Sequence, residues 1–195
     1  LNQTTKYFWR IKPKNNCGEG IFSNVFSFTT ELCTICNSVA NTSYDTSTTL
    51  VNFNTINNAS AKPSGYSNYT TINTEVTRNL SYDLKVKVNT ADDLDSAYST
   101  QTKVWIDWNQ NCNFDDDGEE YNLGEAFSTV NGLTAQSPLS IIVPVNAILG
   151  NTIMRISTKF SGDGLPTSCE NGADGEVEDY TIVVKDNPAS VEDIS

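Results

Sequence analysis

An alternation of period two constrains this chain most. The stretches KYFWRIK (6–12), NVFSFTT (24–30), YDLKVKV (82–88), KVWIDW (103–108), LSIIVPV (139–145), TIMRIST (152–158) and YTIVVK (180–185) alternate apolar with polar residues or run apolar throughout. Clusters of Gly, Asn, Asp and Ser separate them. Period two sends successive side chains to opposite faces, which is strand geometry. No segment carries a long helical period, and no internal repeat stands out. Many short strands without competing helices predict an all-β fold, with a β-sandwich or jelly-roll-like main domain. VPVNAILG (143–150) has room for one helical turn, ended by Gly150.

Charge and composition narrow the partners. The chain has 195 residues, with 12 Lys and Arg against 24 Asp and Glu, a net charge of −12. Phosphate recognition needs clustered Lys and Arg, so neither nucleic acid nor an anionic membrane surface is an expected partner. Histidine is absent, which removes the usual general base and the commonest zinc ligand. A mechanism built on two carboxylates stays open. No apolar run is long enough to span a bilayer. The Asn-, Thr- and Ser-rich, strand-prone composition fits an extracellular β module, with any export signal upstream of Leu1.

Five cysteines stand at 17, 33, 36, 112 and 169. Their wide spacing favours disulfides and an oxidising compartment. Cys33 and Cys36 form a lone CxxC that nothing completes into a zinc set, and the odd count leaves one thiol over or a partner elsewhere. The tail KDNPASVEDIS (185–195) is polar, contains Pro and has linker character. The expected organisation is a hairpin piece at 1–31, a main domain at 32–185 and a tail at 186–195.

The stretch VWIDWNQNCNFDDDGEE (104–120) drives four apolar or aromatic residues into a loop crowded with carboxylates and asparagines. Asp107, Asn109 and Asn111 have the alternate spacing of an oxygen-rich calcium loop. The Asn113 carbonyl is the next expected ligand, and Asp115 and Glu119 are candidates to close the site. Phe114 would anchor the loop in the core. Without a cation, Asp115, Asp116, Asp117, Glu119 and Glu120 repel one another. Two positions depart from a helix–loop–helix hand: Cys112 stands at the usual Gly, and Gly118 at the usual closing Glu. The loop is therefore expected between two strands. The alternative is a solvated acidic turn without metal.

A second acidic cluster, DGEVEDY (174–180), runs into the last strand. Alternation puts Glu176, Glu178 and Tyr180 on one face, with Val177 and Asp179 on the other. Carboxylates within a sheet must be paired or coordinating. Arg155 is the expected salt-bridge partner, with Glu178 as its mate. An additional metal role for Glu176, Glu178 or Asp179 stays open beside it.

Two resemblances follow from these residues. LNQTTKYFWRIKPKNNCGEGIFSNVFSFTT (1–30) resembles the last two strands of a fibronectin type III domain, carried by Leu1, Thr5, Tyr7, Trp9, Ile11, Asn16, Gly18, Gly20, Ser23, Phe28, Thr29 and Thr30. An isolated hairpin of this size is marginal in water, so this resemblance implies a sandwich that begins before Leu1; the alternative is a hairpin that completes the main domain. The main domain resembles the GEVED domain family, through Gly175-Glu176-Val177-Glu178-Asp179 itself. The stretches SGYSNYT (64–70), VWIDWNQNCNF (104–114) and VPVNAILGNTIMRIS (143–157) support it, with Asn68 where that family usually carries Asp.

The GEVED resemblance implies a β-rich module of a secreted or cell-surface multidomain bacterial protein, with no catalytic activity of its own. Such modules often follow fibronectin type III repeats or a metallopeptidase domain, and a sorting domain for type IX secretion commonly comes after them. The family pattern pairs Cys36 with Cys169. With that pair taken, the reading sets Cys33 against Cys112, which would tether the acidic loop to the domain start. The acidic loop, mapped to Asp107, Asn109, Asn111 and their neighbours, resembles a calcium site. Asp95-Ser96-Ala97 resembles a short bacterial O-glycosylation acceptor centred on Ser96.

Three functions remain in play. The first is a non-catalytic, calcium-stabilised module that binds or adheres to an extracellular polysaccharide or protein, with Tyr44, Tyr66, Tyr69, Tyr98 and Tyr121 as candidate sugar-stacking rings. The second is a ligand-free spacer that positions an upstream catalytic domain of the same polypeptide. The third is a glycosidase using two of Asp107, Asp115, Glu119, Glu176, Glu178 and Asp179, which requires an open cleft between paired carboxylates.

Overall fold

The computed structural model describes residues 5–30, 34–90 and 97–187. The chain divides into two compact units, Leu1–Ile35 and Cys36–Ser195.

In the smaller unit, β1 (Lys6–Trp9) pairs antiparallel with β4 (Phe26–Thr29), and β2 (Lys14–Asn15) with β3 (Gly18–Glu19). The register sets Tyr7 opposite Phe28 and Trp9 opposite Phe26. Both pairs stack, with ring centroids 5.6 and 4.8 Å apart. The Arg10 guanidinium lies 3.7 Å from the centre of the Phe22 ring. The strand expected to reach Lys12 stops at Trp9. Beyond it the Ile11 N–H donates to the Ser23 hydroxyl. Cys17, in the turn between β2 and β3, is an exposed free thiol.

The larger unit is all-β. Its remaining strands are β5 (Val39–Asn41), β6 (Ser47–Phe53), β7 (Ile56–Ala59), β8 (Tyr66–Thr77), β9 (Ser81–Asn89), β10 (Ser99–Ile106), β11 (Glu120–Phe127), β12 (Gly132–Leu133), β13 (Leu139–Ile142), β14 (Gly150–Phe160) and β15 (Asn171–Lys185). Among the described residues the only helical element is a 3-10 turn at Ser161–Asp163. One sheet runs β11-β10-β14-β15, with β5 and β8 both parallel to β15 along its far side. The other sets β12 and β13 beside β9, then β6, then β7.

The two sheets close a sandwich over one apolar core. Val51, Phe53, Ile56, Leu84, Val86, Val88 and Ile141 face Val104, Ile106, Leu123, Met154, Ile156, Ile182 and Val184. These positions fall at alternate residues of each strand, as period two requires. Each fully buried aliphatic or aromatic side chain contributes about 1.5–3 kcal/mol relative to exposure.

The structure departs from the expected elements where polar residues hide a strand. β8 reads YSNYTTINTEVT, and β6 reads STTLVNF. β6 still buries Val51 and Phe53 in the core, and β8 buries Val76. β15 begins nine residues before YTIVVK, so the whole acidic motif lies inside it. The segment 143–150 forms a hydrogen-bonded turn, Ala147 N–H to Pro144 O at 3.1 Å, rather than a helical turn. Gly150 opens β14 at φ 110°.

Candidate metal centre

The acidic loop is the connection of a β-hairpin. β10 and β11 pair up to Trp105 opposite Glu120, and the Ile106 N–H donates to Glu119 O at 3.0 Å. Residues 107–119 therefore leave and re-enter the sheet at one point. The first residue is fixed to β14, because the Asp107 N–H donates to Ile153 O and the Thr152 hydroxyl donates to Asp107 O. The chain curls at Gln110, Cys112 and Gly118, with φ of 54°, 65° and 87°. Cys112 thus takes the left-handed conformation for which Gly is the usual choice. It is a disulfide-bonded cysteine; Cys33, its expected partner, lies outside the described residues, as does Ser96.

The side-chain oxygens order the loop by a chain of local turns. The Asn109 oxygen accepts the Asn111 N–H at 3.0 Å, the Asn111 oxygen the Asn113 N–H at 2.8 Å, and the Asn113 oxygen the Asp115 N–H at 3.2 Å. Asp107 is the hub: Oδ1 accepts the Asn111 N–H at 3.1 Å and Oδ2 the Cys112 N–H at 3.0 Å. Glu119 reaches back from the far end, its Oε1 accepting the Asn109 N–H at 3.2 Å.

Asp116 was absent from the expected ligands, yet its Oδ2 accepts both the Asn109 and Asn111 amides, at 2.9 and 2.7 Å. Asp115 instead directs Oδ1 towards the Ser168 hydroxyl at 3.4 Å. Register within a curled loop follows its turns, and simple alternation does not report it.

Asp107 and Glu119 are 3% and 2% exposed. Burial raises the Asp107 carboxyl, against the backbone N–H groups that lower it. Burial, with the charges of Asp107 and Asp116 adding to it, pushes Glu119 up to about 7. Asp116 is lowered by the Asn109 and Asn111 amides. Glu119 Oε2 is buried with no hydrogen-bond partner. An orphaned carboxylate oxygen beside two more carboxylates and a set of amide oxygens fits a hard cation that takes six to eight oxygens. Among the described residues no three Cys, Asp or Glu side chains converge as a ready metal cluster. The set therefore needs its amide or main-chain oxygens to hold an ion.

Behind the loop, the outer face of the larger sheet carries a second buried layer. Trp105, Arg155 and Asp179 stand opposite one another across β10, β14 and β15. Arg155 Nε and Nη2 donate to Asp179 Oδ1 and Oδ2, each at 2.8 Å. Nη1 donates to Cys36 O and Ser168 O, each at 2.9 Å. The Tyr66 hydroxyl donates to Asp179 Oδ2 at 2.9 Å. Phe114, 1% exposed, packs from the loop with its ring centre 5.3 Å from the guanidinium. The Cys36–Cys169 disulfide lies against the same guanidinium. The expected Arg155–Glu178 pair is thereby corrected: Glu178 stands opposite Ile156, so it points to the other face.

Glu176 and Glu178 point into the sandwich and are both fully buried. Glu176 accepts the Thr48 N–H at 3.2 Å and the Ser67 hydroxyl at 3.0 Å. The Tyr180 hydroxyl donates to Glu178 at 2.8 Å, and Asn58 donates to Tyr180. Gly175 precedes them where β15 presses on β14, since an added Cβ would lie 2.0 Å from Thr158 O. Gly175, Glu176, Glu178 and Asp179 of the motif are thus each held by packing or hydrogen bonds within the fold.

No sugar ring can reach Glu176, Glu178, Asp107 or Glu119 at this burial, and Asp179 is engaged by Arg155. Among the five tyrosines, Tyr44 and Tyr98 are the exposed ones. Tyr66 is tied to Asp179, Tyr69 packs on Tyr180 at 5.5 Å, and the Tyr121 hydroxyl accepts the Trp108 indole N–H at 2.8 Å.

Comparison with known proteins agrees with the motif. Residues 101–183, which run from β10 through β15, match the family model of the GEVED domain. No curated protein matches the chain.

Proposed function

We propose, taking residues 101–183 as a GEVED domain, that this chain is a non-catalytic accessory module of a larger secreted or cell-surface bacterial protein. In this reading a calcium ion stabilises it, and it binds or adheres to an extracellular polysaccharide or protein. The observation that carries the calcium reading is Glu119 Oε2, buried and unpartnered at the closing point of an oxygen-lined loop. Asp107, Glu119 and Asp116, with oxygens of Asn109, Asn111 and Asn113, would hold the ion. Bound there, it would neutralise the loop and fix Phe114 against Arg155. The disulfide supports an oxidising, extracellular setting. The hairpin at 1–31 is read as the closing strands of a fibronectin type III-like neighbour, and 186–195 as a linker.

That only Tyr44 and Tyr98 of the five candidate rings are exposed favours a second reading, a ligand-free spacer that positions an upstream catalytic domain. A glycan array with calcium present separates the two: specific retention supports binding, and a blank array supports the spacer.

Extracellular calcium modules bind with dissociation constants of roughly 10⁻⁴–10⁻³ M. Tenfold excess over that constant stabilises by about 1.4 kcal/mol. The melting temperature is expected to rise on titration with calcium and to return on adding EDTA, and Asp107→Ala is expected to abolish the rise. A melting temperature indifferent to both reagents would overturn the calcium reading.

A further inference from the structure

Two carboxyls lie inside the sandwich, and no cation among the described residues is bonded to either. Glu176 and Glu178 project from one face of β15. Arg155, opposite Asp179, and Lys159, opposite Gly175, belong to the other face. β14 opposes the pair with Thr158 and Ile156. β6 offers the Thr48 N–H, β7 offers Asn58 through Tyr180, and β8 offers the Ser67 hydroxyl and Tyr69. The Ser60 hydroxyl also acts on Glu178. Lys62, the one cation that acts on Glu176, bonds the Tyr44 and Thr46 carbonyls instead. Asp174, which also acts on Lys62, only adds negative charge. Glu178 Oε1 is buried without a partner.

We propose that Glu176 and Glu178 are a proton-held latch, neutral carboxylic acids in the closed sandwich whose ionisation loosens β15 from β6 and β7. Two adjacent buried anions with only neutral donors around them are strongly disfavoured. A proton removes each charge without requiring space. Hydroxyls can reverse their hydrogen bonds, so Ser67 and Tyr180 can accept a carboxyl proton as readily as they donate to a carboxylate. The electrostatics agree with the geometry. Burial, with the Glu178 charge adding to it, pushes Glu176 up to about 8, and burial pushes Glu178 up to about 7.

Both carboxyls sit above their unfolded value of 4.5, so their contribution is complete below pH 4.5 and is lost as pH rises through about 7 and 8. Across that window the unfolding constant is expected to rise by up to about tenfold per pH unit for each carboxyl. With no histidine in the chain, few other groups titrate there.

The test is urea unfolding of the full chain from pH 5 to 9 in saturating calcium, for the wild type and for Glu176→Gln with Glu178→Gln. Glutamine keeps the shape and the neutrality, so the variant should match the wild type at pH 5 and lose most of its pH dependence. The comparison also subtracts Glu119, the other carboxyl raised into this range. A wild type flat from pH 5 to 9, or a variant that is unfolded at pH 5, would overturn the latch. Carbon-13 NMR of labelled Glu carboxyls in the wild-type chain gives an independent readout. Two signals titrating above pH 6.5 and removed by the substitutions are expected; all carboxyls titrating at or below pH 5 would refute it.

Discussion

Replacing Arg155 by Met should come close to unfolding the larger unit. The guanidinium neutralises Asp179 and also satisfies the Cys36 and Ser168 carbonyls, and the side chains of Arg155 and Asp179 are 3% and 6% exposed. Stripping a buried ion pair of one partner costs about 3–5 kcal/mol, because the other charge stays behind. Each carbonyl left without a donor adds about 1–3 kcal/mol if water cannot reach it. A loss of about 3–5 kcal/mol is therefore expected if water reaches both carbonyls, rising by about 2–6 kcal/mol if it reaches neither, against a usual total of about 5–15 kcal/mol. Asp179→Leu alone leaves the guanidinium its two carbonyls and should be milder. Combining it with Arg155→Met removes the stranded charge, so the double variant should recover at least about 2 kcal/mol relative to the sum of the singles. Urea denaturation of the four proteins, with disulfides intact and calcium fixed, closes the cycle. A loss under about 1 kcal/mol for Arg155→Met is what an exposed ion pair gives, and it would refute the reasoning; so would singles that simply add.

Two other changes test the surrounding frame. Removing Cys36–Cys169 by paired alanines opens a loop of sequence separation 133; about 5 kcal/mol should be lost on the chain-entropy account, and equal urea midpoints with and without the bond would contradict it. Gly175→Ala places a Cβ 2.0 Å from Thr158 O, so β14 and β15 must part locally at about 1–3 kcal/mol; a neutral result by thermal melting would show that β14 yields freely.

The fold class was legible because alternation survives in strands such as YDLKVKV and KVWIDW, where one face is buried. β8 was not, because its Tyr, Asn and Thr residues leave no clean apolar stripe on which alternation can be read. The facing of Glu176 and Glu178 followed from alternation along one strand, but the mate of Arg155 depended on register between two strands. Nothing in the sequence of either strand states that Arg155 stands opposite Asp179. In the loop, the spacing of Asp107, Asn109 and Asn111 pointed to residues that hydrogen bonds do bring together. That Asp116, and not Asp115, meets the Asn109 and Asn111 amides follows from turns that residue spacing does not state.

β15 lies between β14 on one side and β5 and β8 on the other, and among the described residues it is the last strand of its unit to be synthesised. At about 5–20 residues per second, the early strands wait several seconds or longer for their neighbour. The pairings of β15 with β14, β5 and β8 are therefore settled in one late step, and those with β5 and β8 are non-local, the kind of topology that folds slowly. During that wait the growing chain exposes unpaired β5 and β8 edges, and a nascent-chain binder would have to guard them until the final strand arrives.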